Sequence, residues 1–289
     1  MVTLHSGRQS GEPVIEKLLT QEDILSSYEV VSKLYPCLPS LSLWRAWEHA
    51  AYRCGKLPQP VLDVGCGDGQ FFRFLWPDVQ AVIGVDHDPR VVEAARQSGV
   101  YEEVHVSSAE RIPVAPESMR SAFANCSLEH MDRLPDVLRS VYRSLRPGSP
   151  FWLSVVTDNF VEWRTLPLLA RELQEPRLVA TLDEGYNKYH HLVNSLAPNA
   201  WRARLEEAGF HVREHIPIVP ELTSRLFLFV DQLWHLPRPS GETGDRLRAY
   251  LLSLPRFDEA FRQILAGVMA MEPHWNLGSG AVFLAERPI

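Results

Sequence analysis

The sequence predicts an α/β protein built on a doubly wound, parallel sheet. Three observations carry this. From Pro60 onward, short apolar runs alternate with stretches of helical length and period; the first run ends in a glycine-rich turn; the second ends in an acid, Asp86. Composition allows the core such a sheet needs. Hydrophobic residues are 45% and charged residues 22% of the 289, which excludes a disordered or fibrous chain. The length favours one domain with insertions or a compact two-part molecule.

Residues 1–59 are expected to form an N-terminal helical segment. One helix is read from Glu22 to Leu34, and a second within LSLWRAWEHAAYRCG (41–55), where Leu43, Trp44, Trp47 and Ala51 share a face. That spacing assigns the two tryptophans to the core in preference to a substrate wall. The ligand-binding, doubly wound core is expected over 60–157. VLDVG (61–65), AVIGVD (81–86), YEEVHVSS (101–108), Ser121 to Cys126 and PFWLSVVT (150–157) are its strands, with helices at DPRVVEAARQSG and DRLPDVLRSVYRSLRPG. In the latter, Leu134, Val137, Leu138, Val141 and Leu145 recur at helical spacing, Asp132 is the expected N-cap and Gly148 the stop. The segment 198–219 adds a helix and a strand, and 279–289 a final strand. Between them, 158–197 and 220–278 are too long for plain connections and carry Trp163, Tyr186, Tyr189, Phe227, Phe229 and Trp234, which need covering. They are expected to be helical cap insertions, forming a lid over the carboxyl edge of the sheet where ligands of such folds bind, with a helical buttress packed elsewhere as the alternative.

Lys+Arg 29 against Asp+Glu 36 gives a net charge of −7, so the chain lacks a bulk attraction to phosphate backbones and no nucleic-acid partner is expected. Cys37, Cys54, Cys66 and Cys126 have neither CxxC spacing nor paired histidines, and are read as reduced cysteines with no metal site. No signal peptide and no membrane insertion are read, and a cytoplasmic protein is expected.

The most informative stretch is Val61 to Gln70, VLDVGCGDGQ. A strand runs into Gly65-x-Gly67-x-Gly69 and a helix follows, so backbone turns sharply and a ligand can approach it closely. Asp86 lies 21 residues past Gly65 (65 to 86), where a strand-end carboxylate accepts bonds from ribose hydroxyls. A dinucleotide loop would place a small residue where Gln70 stands. Asp63, just before the loop, suits a cationic group better than a pyrophosphate. S-adenosylmethionine offers such a group in its α-ammonium.

VLDVGCGDGQ resembles the first motif of the class I S-adenosylmethionine-dependent methyltransferases, and IGVDHDP their second. SSAERIPVAPES, FANCSLEHM and LRSVYRSLRPGSPFWLSV are similar in order and spacing to later family blocks, so the likeness spans roughly 40–157. It implies a mostly parallel, seven-stranded sheet with helices on both faces and an antiparallel last strand, AVFLAERP (281–288). It also implies site residues. Asp63, Gly65, Cys66, Gly67 and Gly69 would line the methionine half of the cofactor, Asp86 would hold the ribose and His87 would lie along the adenosine. Ala109 and Glu110 would meet the adenine edge, and Asn125 and Ser127 would lie beneath the methionine. Ser108 stands where the family often has an acid reaching the adenine amino group. ANCSLEH replaces the Asn/Asp-Pro-Pro-Tyr/Phe block of enzymes that methylate exocyclic amines of nucleic-acid bases, which leaves a small molecule methylated at oxygen, nitrogen or carbon.

Methyl transfer needs alignment of the nucleophile and, for an alcohol or phenol, a base. His130 follows the fourth strand at the ligand-binding edge and is the first candidate; the alternatives are a helix cap or a cofactor contact. His190 and His191, in the polar-aromatic run YNKYHH, are the second choice. Glu129 is read as an orienter of His130, an acceptor for a substrate ammonium, or a surface carboxylate. Two other functions stay open: an NAD(P)-binding oxidoreductase, and a non-catalytic S-adenosylmethionine-binding subunit.

Overall fold

The structure is a computed structural model and describes residues 13–238 and 241–289. Its sheet contains β1 (Ile15–Glu16), β2 (Val61–Val64), β3 (Val82–Asp86), β4 (Glu103–Val106), β5 (Ser121–Asn125), β6 (Pro150–Val156), β7 (His211–Ile218) and β10 (Gly280–Glu286). A separate two-residue ribbon joins β8 (Pro237–Arg238) to β9 (Gly241–Glu242). The sheet order is β1-β7-β10-β6-β5-β2-β3-β4. β10 is antiparallel to both neighbours, β6 and β7, and the other pairings are parallel. The seven expected strands are all present. The eighth, β1, adds a parallel edge to β7 through Ile15 and Glu16. A pair of residues has too short a pattern for periodicity to reveal it.

Strand alternation divides the core into two layers. Val61, Val82, Phe123, Trp152, Ile216 and Val282 face one side, with α1 (Gln21–Leu34), α2 (Pro39–Tyr52) and α3 (Gln70–Leu75). Leu62, Val64, Ala122, Ala124, Phe151, Leu153 and Phe283 face the other, against α5 (Leu134–Ser144) and α9 (Pro198–Glu207). The short α4 (Pro89–Gln97) buries Val92 and Ala95 over Cys66 and Val104. The chain winds from β2 to β3 and β4 on one side, then crosses to β5 and β6 on the other. The reversal between β2 and β5 opens a crevice at their carboxyl ends.

Leu43, Trp44, Trp47 and Ala51 are buried on α2, as their spacing predicts. Of the expected 1–59 segment, residues 1–12 lie outside the described residues. The expected cap at Asp132 is not formed. α5 starts at Leu134 with Pro135 in its first turn and no side-chain cap, and the preceding residue is Arg133. Proline already removes one of the amide donors a cap would satisfy.

The two insertions are helical. The first holds α6 (Asp158–Glu162), α7 (Thr165–Glu172) and α8 (Pro176–His190); the second holds α10 (Glu221–Trp234), α11 (Thr243–Leu251) and α12 (Phe257–Met269). They join the N-terminal helices through aromatic contacts. Trp44 meets Phe160 at 5.6 Å and Phe227 at 5.2 Å between ring centroids, and Tyr28 of α1 meets Phe261 of α12 at 6.1 Å. Tyr189 and Phe229, expected to need cover, are exposed. No helix among the described residues is long and apolar enough to cross a membrane.

Candidate active site

Four loops meet at the carboxyl ends of β2, β3, β4 and β5. After β2, Gly65 and Cys66 donate their amides to the Val85 carbonyl at 2.8 and 3.1 Å, which ties the glycine loop to β3. Gly65 takes φ +70°, and a Cβ there would lie 2.5 Å from that of Ser127. Glycine is therefore required on both counts. Gly67 differs: φ is +56°, but an added Cβ would meet nothing within 4 Å. The backbone there faces open space.

Asp86 closes the loop from below. Its Oδ2 accepts from the Gly67 amide at 3.2 Å and its Oδ1 from the Asp88 amide at 3.0 Å. Beside it, the His87 ring is almost fully exposed, with Nδ1 3.5 Å from Asp86 Oδ1. After β4, the Ser108 hydroxyl donates to the Glu110 carboxylate. Glu110 thus places an acid two residues after Ser108, at the same edge. Ser127 donates to the Val64 carbonyl at 2.8 Å and so holds the loop after β5 against β2.

These loops enclose a cavity of about 640 Å³. Gly65, Asp86, His87, Ser108, Ala109, Glu110 and Ser127 all line it, together with His130 and His191, and Val85, Met131 and Val137 form apolar wall. Among the described residues of the two insertions, only His191 of the first reaches this lining. α10 and α12 of the second insertion pack on α2 and α1.

Behind the glycine loop lies a smaller void of about 120 Å³, lined by Asp63, Gly65, Cys66, Gly67, Gly69 and Asn125 together with Tyr35 and Arg45. Asp63 is buried and accepts from the Tyr101 hydroxyl at 2.7 Å. Burial raises its carboxyl to about 7, against the lowering effect of the Tyr101 bond, and Asp86 adds to the rise. Cys66 is buried and its thiol is pushed above the ordinary range, so it is no nucleophile at neutral pH. Asn125 donates to Glu48 at 3.2 Å, while its Oδ1 is buried without a partner. Arg45 donates to the other side of this region: Nη1 bonds Glu48 at 2.6 Å, and its Nε is also buried and unpaired.

Arg45 and Glu48 went unrecognised in the sequence. Glu48 is fully buried and accepts from Trp44 at 3.1 Å, Cys126 at 2.9 Å and Ser154 at 2.5 Å besides Arg45 and Asn125. One buried carboxylate thus fixes α2, β5 and β6 relative to each other.

Among the histidines, His130 and His191 come together and His190 does not. His130 Nδ1 stands 3.3 Å from the His191 carbonyl, and burial holds its imidazole below the ordinary value. His191 takes a left-handed conformation that ends α8, with Nε2 3.6 Å from Asp132. His190 points away from the cavity toward Asp231 on α10. Glu129 is neither a surface acid nor a partner of His130. It is buried, its Oε2 lacks a partner, and burial lifts its carboxyl to about 8. Its backbone carbonyl accepts from Val193 and Asn194, which fastens the end of the first insertion to this loop.

Comparison with known proteins agrees with this geometry. Residues 62–153 match the family model described as a methyltransferase domain. The chain is 28% identical over 99 residues to a malonyl-[acyl-carrier protein] O-methyltransferase of Pectobacterium atrosepticum, covering 34% of this chain and 39% of that protein. The chain thus spans less than half the length of the relatives of this kind that it matches. It is 25% identical over 219 residues to a 2-phytyl-1,4-naphtoquinone methyltransferase of Thermosynechococcus vestitus, covering 68% of this chain and 94% of that one. Among solved structures, Haemonchus contortus phosphoethanolamine N-methyltransferase 2, in complex with S-adenosyl-L-methionine, aligns with a TM-score of 0.54 at 16% identity, over 93% of this chain and 58% of that one. The likeness there is one of fold. Residues 62–153 thus match a methyltransferase domain in sequence, and nearly the whole chain shares the fold of an S-adenosylmethionine-binding methyltransferase.

Proposed function

We propose that the protein transfers a methyl group from S-adenosylmethionine to a small molecule, with oxygen as the acceptor atom favoured over nitrogen or carbon. One observation carries the reading: the glycine loop, Asp86, the Ser108–Glu110 pair and Ser127 surround a single cavity that also presents His130. The residues fit the cofactor. Open space above Gly67 leaves room for a ligand against backbone, and the unpaired Asn125 Oδ1 and Arg45 Nε lie buried at the smaller void. In that void Asp63 and Asn125 would accept from the methionine ammonium, and Arg45 would meet its carboxylate. Asp86 would take the ribose hydroxyls, and Glu110, oriented by Ser108, the adenine amino group. When bound, the cofactor supplies an electrophilic methyl on sulfonium sulfur.

The chain's own part is then positioning and proton removal. His130, neutral at pH 7 because burial lowers its basicity, would accept a proton from a hydroxyl at Nε2, while its Nδ1 donates to the His191 carbonyl. Val85, Met131 and Val137 would exclude water around the acceptor. Oxygen is favoured by this base and by the O-methyltransferase names among the relatives, which include a ubiquinone biosynthesis O-methyltransferase. Four free thiols and the acidic charge support a cytoplasmic protein without a nucleic-acid partner.

Calorimetry with S-adenosylhomocysteine tests the binding half. The wild type should bind, and Asp86→Ala should weaken binding at least about tenfold, because hydrogen bonds to a charged group are worth roughly 1.5–3 kcal/mol. Labelled-methyl transfer into metabolite extracts tests the reaction. Recovery of a nicotinamide nucleotide from the purified protein would overturn the proposal, and tight binding with no label transferred would leave a non-catalytic subunit.

A further inference from the structure

His190, at the end of α8, turns its ring across to α10, where Asp231 and His235 stand four residues apart on one face. Nε2 of His190 lies 3.5 Å from Asp231 Oδ2, and Nε2 of His235 lies 3.6 Å from Asp231 Oδ1. One ligand atom from each of the three residues can be chosen so that all lie within 4.8 Å of one another. Around a tetrahedral zinc ion, donors about 2.0–2.1 Å from the metal stand roughly 3.3 Å apart. Both histidine–carboxylate spacings are close to that, each to a different oxygen of Asp231, and no spacing within the group of three chosen atoms exceeds 4.8 Å.

Two further features orient these groups. Glu242 Oε2 lies 3.0 Å from Nδ1 of His235, and the Tyr186 hydroxyl donates to Asp231 at 2.6 Å. A carboxylate behind an imidazole fixes its tautomer and turns the other nitrogen forward as a lone pair, the usual support of a metal-bound histidine. The forward nitrogen of His235 then faces Asp231. Lone pair against carboxylate is repulsive unless a cation, either a proton or a metal ion, sits between them. His190 Nε2 gives an independent sign: it is buried and makes no hydrogen bond, although it points at this same carboxylate.

We propose that His190, Asp231 and His235 form a binding site for a divalent transition metal, zinc in the first instance, that pins the first insertion to the second. Two imidazoles and a carboxylate suit zinc, and a fourth position stays open to water. None of the three residues lines the cavity described above, so the ion would hold the cap together without touching the reacting groups. His191 would be fixed at the cavity wall by its neighbour. The proposal is independent of the methyl-transfer reading.

Protein stripped with chelator and dialysed should take up about one equivalent of Zn²⁺ by calorimetry. Co²⁺ should give the intense visible absorption of a four-coordinate site, a readout on the unaltered protein. His190→Ala, His235→Ala and Asp231→Asn should each weaken Zn²⁺ binding by more than about a hundredfold, and Glu242→Gln by about 10–100-fold, the usual range for a supporting carboxylate. His274→Ala, an exposed histidine elsewhere, should change nothing. Hydrogen exchange should show Zn²⁺ protecting the ends of α8 and α10 together. A wild type that takes up no Zn²⁺, a six-coordinate Co²⁺ spectrum, or uptake unchanged in a folded His190→Ala/His235→Ala double variant would each overturn the site.

Discussion

Gly67 isolates the contribution of one side chain's absence. Its surroundings leave a Cβ room, so the fold should accept valine there at the cost of roughly 1–2 kcal/mol for a left-handed backbone. The branched side chain would occupy the space assigned to the cofactor. Gly67→Val should therefore retain its circular dichroism and lose S-adenosylhomocysteine binding by calorimetry. His130 offers a second residue-scale test. If it is the base, kcat/KM falls as pH drops through its pKa, because the imidazolium has no lone pair. Burial lowers that pKa, so the rate should rise with pH and level off below the range of an ordinary imidazole. His130→Gln should lose activity and abolish that acidic limb. A pH profile unchanged in the glutamine variant would assign the proton to another acceptor.

Single residues were legible in the sequence where their role is local. The glycine loop and Asp86 are linked through two adjacent strands, and a hydrogen bond from the Gly67 amide to Asp86 ties them directly. Arg45 and Glu48 were not. On α2 they look like the solvated face of an amphipathic helix; only the packing of that helix over β5 and β6 makes Glu48 a buried acceptor. His190 and Asp231 come from helices separated by β7 in sequence, and no spacing rule joins them.

At the scale of elements, α12 is held on α1 by Tyr28 and Phe261, both buried. The aromatic content of the second insertion announced that it would pack, but not on what. The partner is a surface that α1 and α2 build together, and the sequence pattern of either helix alone describes only its own face. Phe261→Ala should lower the free energy of unfolding by about 3–5 kcal/mol in urea titrations, the usual cost of emptying a buried phenylalanine site. A loss below about 1 kcal/mol would mean that α12 is a peripheral decoration.

For the whole molecule, the burial of acids sets how stability depends on pH. Glu129 is raised from 4.5 to about 8 and Asp63 from 3.8 to about 7. A carboxyl whose folded value lies above its unfolded one keeps its proton longer in the native state. Stability is then greatest below the unfolded value and declines as pH rises toward the folded one. The two acids therefore favour the fold near pH 4 and weaken it progressively up to about pH 8. Glu129→Gln removes one of them. Relative to the wild type, it should gain about 1–3 kcal/mol at pH 8, the cost of an unpaired buried group, and little or nothing near pH 5. Thermal melts across that range check the sign. The parallel sheet itself was readable at this scale because alternating apolar runs and helices admit few other architectures. The two-residue β1 was not, since its pairing depends on where β7 ends up.

The position of β10 also bears on the order in which this protein can be made. Residues 280–286 lie between β6 and β7, and no direct ladder joins those two strands. While a ribosome is still adding residues, the β2-to-β6 part of the sheet can assemble, but β7 and the β1 edge attached to it have nothing to dock on. The sheet becomes continuous only once β10 has emerged. Until then, one edge of β6 and one edge of β7 expose unpaired peptide groups, and a nascent chain of this protein is most vulnerable to misassembly in the interval between the emergence of β7 and that of β10.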